Sequence, residues 1–207
     1  MNLRRLVPRP VRALLRRLWP TEPRAFWDRL RAAGLPTPVP PTAAWKHRVI
    51  ASYASGLETF VETGTFRGDT VEAMRGRFPS VVSIELAPAL AEAARQRFAS
   101  APNVRILEGD SGTVLPTILP SNRTLFWLDG HWCGGDTALG EAETPLLAEL
   151  TAVLGRRQRD VILVDDARLL GRRGYPSLET IRGLVEHAVP ERRLSLADDI
   201  LRIVPAE

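Results

Sequence analysis

From residue 57 onward the chain alternates between two patterns, and this limits its fold more than any other feature of its 207 residues. Short apolar runs rich in β-branched residues sit at 58–62 (ETFVE), 80–85 (SVVSIE), 103–108 (NVRILE), 123–128 (RTLFWL) and 160–164 (DVILV). Helix-period segments separate them, at about 69–77, 88–99, 111–118, 145–154 and 176–187. Strands alternating with helices form a parallel sheet with helices on both faces. Runs that are apolar throughout agree, because a strand covered on both faces has no polar side. Pro88, Pro145 and Pro176 suit first helical turns, where a missing N–H costs nothing. Ser111 and Thr144 suit N-caps, and Gly155 a helix stop. At the C-terminus, 192–197 and 200–204 flank Asp198-Asp199, which predicts a hairpin. The expected class is therefore α/β: a three-layer, doubly wound, Rossmann-like sheet, mostly parallel, with an antiparallel hairpin edge.

Composition removes other classes. Hydrophobic residues make up 44% and charged residues 25%, which excludes a disordered chain. Cys133 is the only cysteine, which excludes a disulfide scaffold. No apolar run approaches the roughly 20 residues of a membrane span. A net charge of +4 and a pI of about 10.1 suggest nucleic acid at first sight. The charge is uneven, however. Residues 1–31 hold nine arginines against Glu22 and Asp28, a net of +7, which leaves −3 for the rest.

The basicity thus belongs to an arm, residues 1–33, in which Val11, Leu14, Leu15, Leu18 and Trp19 recur at helical spacing. Three readings of the arm stay open: a cap on the body, a contact with an anionic membrane surface or an acidic partner, or a loose tail. It lacks the apolar core and cleavage site of a secretory signal, so the expected location is cytoplasmic, with peripheral membrane contact through the arm as the variant. Residues 34–41 (GLPTPVPP) read as a proline-rich linker, and 42–207 as the main domain.

Ligands of open α/β sheets bind outside the C-terminal strand ends, where strand order reverses. Each predicted strand here ends in an acid: Glu62, Glu85, Asp110, Asp129 and the pair Asp165-Asp166. One such acid is a helix cap; five in succession exceed what capping requires. The first turn, Glu62-Thr63-Gly64-Thr65-Phe66-Arg67-Gly68, is neither a G-x-G-x-x-G fingerprint nor a P-loop. Glu85 follows Gly64 at the distance expected of an acid that accepts ribose hydroxyls. A ribose-bearing ligand with a cationic end, and without a pyrophosphate, suits these residues.

In Glu62, Gly64, Thr65 and Gly68 of the first loop, Glu85 after the second strand, Asp110-Ser111 after the third and Asp129 in Leu-Asp-Gly, the sequence resembles the class I S-adenosylmethionine-dependent methyltransferases. The resemblance covers about residues 42–207. It implies that the first loop holds the methionyl part of the cofactor, with Glu62 near its ammonium. It further implies that Glu85 binds the ribose and that Asp110 lies on the adenine side.

Asp129, Asp165 and Asp166 should converge on one rim if strands four and five are neighbours. Packed carboxylates repel unless a cation neutralises them, and an all-oxygen set suits Mg²⁺. This is similar to the metal-dependent macrocin O-methyltransferase-like sugar enzymes, although Asp-Gly-His stands here where those read Asp-Gly-Asp. The resemblance implies a bound Mg²⁺ that orients an acceptor hydroxyl. His131 is a candidate proton acceptor, or else a residue that orients Asp129. The long connection 130–143, with Trp132, reads as a substrate wall or a packed loop.

The expected function is S-adenosylmethionine-dependent, metal-assisted O-methylation of a hydroxyl on a small molecule or sugar. Two alternatives are a non-catalytic cofactor-binding module acting through the basic arm, and an RNA methyltransferase. The acidic body speaks against a nucleic-acid partner, since phosphates need a basic face beside the site.

Overall fold

The computed structural model describes residues 30–34, 40–130, 144–172 and 174–206. Most of the basic arm and of the proline-rich linker, and the stretch 131–143, lie outside these residues. The chain divides into two compact units, Met1–Lys46 and His47–Glu207. In the first, the Arg31 guanidinium lies 5.6 Å from the Trp45 ring centroid, and Thr42 Oγ1 accepts the Trp45 N–H at 3.1 Å. Among the described residues no helix is long and apolar enough to cross a membrane.

After α1 (Ala43–Ser52), strands and helices alternate as β1 (Thr59–Thr63), α2 (Asp69–Met74), β2 (Ser80–Glu85), α3 (Pro88–Arg97), β3 (Val104–Glu108) and α4 (Ser111–Val114). They continue as β4 (Thr124–Leu128), α5 (Leu146–Leu154), β5 (Val161–Val164), α6 (Leu178–Glu186), β6 (Arg192–Ala197) and β7 (Ile200–Pro205). The seven strands form one sheet in the order β3-β2-β1-β4-β5-β7-β6. The first five are parallel, and β7 runs antiparallel to both β5 and β6. This is a Rossmann-like, doubly wound sheet, mostly parallel with an antiparallel hairpin edge, as the alternation predicts.

Local chemistry explains the elements. Every residue of β1, β4 and β5 is buried, as befits strands covered on both faces. One side of the core gathers Val61, Phe126, Ile162, Leu150, Val153 and Ile181. Asp198 and Asp199 have φ of 56° and 61°, the two left-handed residues of a type I′ hairpin turn. Pro88 opens α3 as expected.

Other boundaries differ from the sequence reading. Asp110, not Ser111, caps α4, because its carboxylate reaches the Gly112 N–H at 2.8 Å. Pro145 takes the cap position of α5, while Thr144 Oγ1 accepts the Leu146 N–H from one residue further out. Ser177 caps α6, so Pro176 precedes the cap instead of sitting in the first turn. β1 runs one residue past Glu62, which places that carboxyl within the sheet and not at its rim.

Candidate active site

Strand order reverses between β1 and β4, so their C-terminal ends open a crevice. The turn after β1 forms one wall. Gly64 N–H and Thr65 N–H both donate to Ile84 O, at 2.9 and 3.3 Å, which stitches the turn to β2. Gly64 has φ 84°, and a Cβ there would stand 2.6 Å from Asp129 O. Only glycine meets both conditions. Across the crevice, Thr63 Oγ1 accepts the N–H groups of Asp129 and Gly130, at 3.2 and 3.1 Å, and pins the exit of β4.

Glu85 closes the second wall. Its Oε2 accepts the Phe66 N–H at 2.7 Å and its Oε1 the Ala87 N–H at 2.9 Å. Each oxygen keeps a second lone pair. The carboxylate thus holds the first turn in place and still has capacity for hydroxyl donors. Phe66 has φ 49° and is half exposed, with the Arg67 guanidinium 5.3 Å from its ring centroid.

Beneath the turn, Ser83 Oγ donates to Glu62 Oε2 at 2.6 Å, and Thr65 Oγ1 lies 2.6 Å from the same serine oxygen. Burial pushes the Glu62 carboxyl up to about 8, against the Ser83 hydrogen bond, and the charges of Asp129 and Glu85 add to the rise. Glu62 is therefore harder to ionise than an ordinary carboxyl in the protein alone.

The Phe66 N–H bond ties Glu85 to the first turn, and Glu62 reaches Thr65 of that turn through Ser83. Gly68, with φ 79°, packs against Phe98, and Asp110 and Ser111 stand at the start of α4. His131 and the connection that carries Trp132 lie outside the described residues.

The proposed Mg²⁺ ligands do not assemble. Among the described residues, no group of three histidine, cysteine or acidic side chains could hold a metal ion. Asp165 Oδ1 accepts the Asp166 N–H at 2.7 Å. Asp166, turned left-handed at φ 52°, pairs its carboxylate with Arg168 at 2.7 Å. Arg168 also pairs with Asp199 at the hairpin turn.

Sequence reasoning missed Glu149. On α5 it is buried beside Leu146, Leu150, Val153 and Leu154, with the Ser111 and Thr63 hydroxyls beside its carboxyl. Burial pushes this carboxyl up to about 7; the hydroxyls of Ser111 and Thr63 oppose the rise, and the charges of Asp110 and Asp129 add to it. A signal existed in the sequence: Glu149 stands three residues after Leu146, on the apolar stripe of the helix.

No family model matches the chain, and no curated protein matches it in sequence. Its fold is similar to several solved structures. One is the O-methyltransferase TomG from Streptomyces achromogenes, involved in tomaymycin synthesis and solved with S-adenosylmethionine. It is 17% identical with a TM-score of 0.53, over 87% of each chain. Another is CalS10, an S-adenosylmethionine-bound amino pentose methyltransferase from Micromonospora echinaspora. It is 16% identical with a TM-score of 0.56, over 80% of this chain and 90% of that one. A third is the S-adenosylhomocysteine-bound methyltransferase PaMTH1 from Podospora anserina, 16% identical with a TM-score of 0.56, over 80% of each chain.

Proposed function

We propose that the chain is an S-adenosylmethionine-dependent methyltransferase that acts on a hydroxyl of a small molecule or sugar. One observation carries the reading. At the switch point, Glu85 is held by two backbone N–H groups with lone pairs to spare, above a buried Glu62, on a turn whose glycine lets the backbone of β4 approach. That set suits a ligand with a ribose and a cationic amino-acid end. The solved structures of similar fold include proteins described as an O-methyltransferase and an amino pentose methyltransferase, which supports the same reading.

S-adenosylmethionine, when bound, supplies an electrophilic methyl carbon on a sulfonium. Glu85 accepts the ribose hydroxyls and so fixes the cofactor along the crevice. Glu62 gives up its proton as an ammonium approaches, because a neighbouring cation favours the carboxylate. The first turn and the Asp129-Gly130 exit narrow the space in which acceptor oxygen and methyl meet, and holding two reactants in line supplies much of the rate. The metal-assisted form expected from the sequence finds no fitting ligand set among the described residues, and no step here passes through a metal.

Calorimetric titration with S-adenosylmethionine, followed by transfer of a labelled methyl to a panel of hydroxyl compounds, tests the proposal. Binding and transfer are expected. A chain that binds no cofactor is not a methyltransferase, and one that binds without transfer is a cofactor-binding module.

A further inference from the structure

A histidine on α1 reaches the buried acid of the cofactor turn through one intermediate hydroxyl. His47 Nε2 lies 3.3 Å from Thr70 Oγ1 on α2, and both residues are partly buried in the unit His47–Glu207. The Thr70 hydroxyl in turn acts on the Glu62 carboxyl. Glu62 thus has hydroxyls from two elements, Ser83 of β2 at 2.6 Å and Thr70 of α2. Burial makes this acid hard to ionise, the two hydroxyls oppose that, and the charges of Asp129 and Glu85 add to it.

A threonine hydroxyl has one hydrogen to give. If His47 presents a bare Nε2, Thr70 spends that hydrogen on the ring and offers Glu62 only lone pairs. If Nε2 carries a hydrogen, the ring donates, and the Thr70 hydrogen is free for Glu62. Only the second arrangement favours the carboxylate. Ser83 is arranged in the same way, since Thr65 Oγ1 lies 2.6 Å from its oxygen and its own hydrogen goes to Glu62.

We infer that His47 is a positioning residue for the charged end of the cofactor: by donating from Nε2 to Thr70 it turns the Thr70 hydrogen onto Glu62 and favours the carboxylate form that pairs with the methionyl ammonium. The inference rests on the methyltransferase reading above and adds to it a residue that acts through another. It concerns the amino-acid end of the ligand alone, because the ribose is assigned to Glu85.

S-adenosylhomocysteine and methylthioadenosine share the nucleoside and the sulfur, and only the first carries the amino-acid end. Calorimetric titration with both separates the two ends. His47→Phe keeps a ring without a donor, and is expected to weaken S-adenosylhomocysteine about five- to tenfold while methylthioadenosine stays within about twofold. His47→Gln, whose amide can donate, should stay within about threefold of the native chain for both ligands. In a Thr70→Val background, His47→Phe should cost nothing further, because the link is already cut. Equal losses for the two ligands, no loss for either, or an undiminished loss in Thr70→Val overturns the inference. So does a native chain that binds S-adenosylhomocysteine no more tightly than methylthioadenosine. If His47→Phe does not fold, ring-nitrogen NMR shifts of His47 in the native chain decide: a hydrogen on Nε2 is expected with S-adenosylhomocysteine bound, and a bare Nε2 overturns the inference. A native chain that binds neither ligand removes the methyltransferase reading instead, and the same ring shifts in the free chain still decide whether His47 donates to Thr70.

Discussion

Ser83 Oγ donates a 2.6 Å hydrogen bond to Glu62 Oε2 between two strands that pair these residues in register. The serine has one hydrogen, so the neighbouring Thr65 Oγ1 acts as donor to Ser83. A residue of the cofactor turn is thereby linked through β2 to a buried acid in β1.

The buried acid makes stability depend on pH. Glu62 is raised from 4.5 to about 8, so the folded state holds an extra proton between those values. Its contribution is fully present below about 4.5 and is lost as pH rises through about 8. Glu149, raised to about 7, acts in the same direction over a narrower window. The melting temperature of the cofactor-free chain is expected to fall from about pH 5 to about pH 8.5, and the fall should shrink in Glu62→Gln. Identical pH slopes in the two proteins would show that Glu62 is ionised normally.

Glu85→Ala removes the acceptor for the Phe66 and Ala87 N–H groups along with the proposed ribose ligand. Calorimetry should show S-adenosylmethionine affinity about 10- to 100-fold lower, the equivalent of one or two charge-assisted hydrogen bonds. An affinity within about threefold of the native chain would place the ribose elsewhere.

Gly64→Ala forces a Cβ to 2.6 Å from Asp129 O at a φ of 84°. Strain and overlap together should cost about 2 kcal/mol or more, read as a lower urea midpoint. A midpoint equal to that of the native chain would mean that the turn relaxes freely.

Chelation offers a direct check on the metal. With Asp166 paired to Arg168 and no fitting ligand group among the described residues, excess EDTA should leave methyl transfer within about twofold of its starting rate. A loss that Mg²⁺ restores would refute this.

Asp160 is fully buried between the Thr124 N–H, at 2.8 Å, and Arg156 Nε, at 2.7 Å, while its carbonyl accepts from Arg192 at 2.7 Å. Asp160→Ala takes the carboxylate away from the buried Arg156 guanidinium and should cost about 3–5 kcal/mol, measured by chemical unfolding. A cost below about 1 kcal/mol would show that water replaces the carboxylate there.

Much of the fold was legible because it is written in local pattern. Strands buried on both faces must be apolar along their whole length, so β1, β2, β4 and β5 announce themselves. Two aspartates between alternating runs announced the β6–β7 turn. Cap assignments were less legible, since Asp110 and Ser111 are both good caps and only backbone geometry chooses between them. At the site, Glu62, Gly64 and Glu85 were readable from their position after strands. Glu149 was not, because an acid on a helix is ordinarily solvated, and its burial depends on what β1 and β4 bring against it.

The sequence by itself determined the alternation of elements and the row of acids at the strand ends, whereas the strand order came from the tertiary structure. The first two follow from periodicity and from the short reach of turns. Tertiary structure decided what each acid does. Glu85 is anchored by two backbone donors, burial within the sheet makes Glu62 harder to ionise, Asp166 pairs with Arg168, and Glu149 is buried on α5. The reason is physical. A carboxylate's role is set by its desolvation and by the donors within about 3 Å, and those donors come from segments far away in sequence.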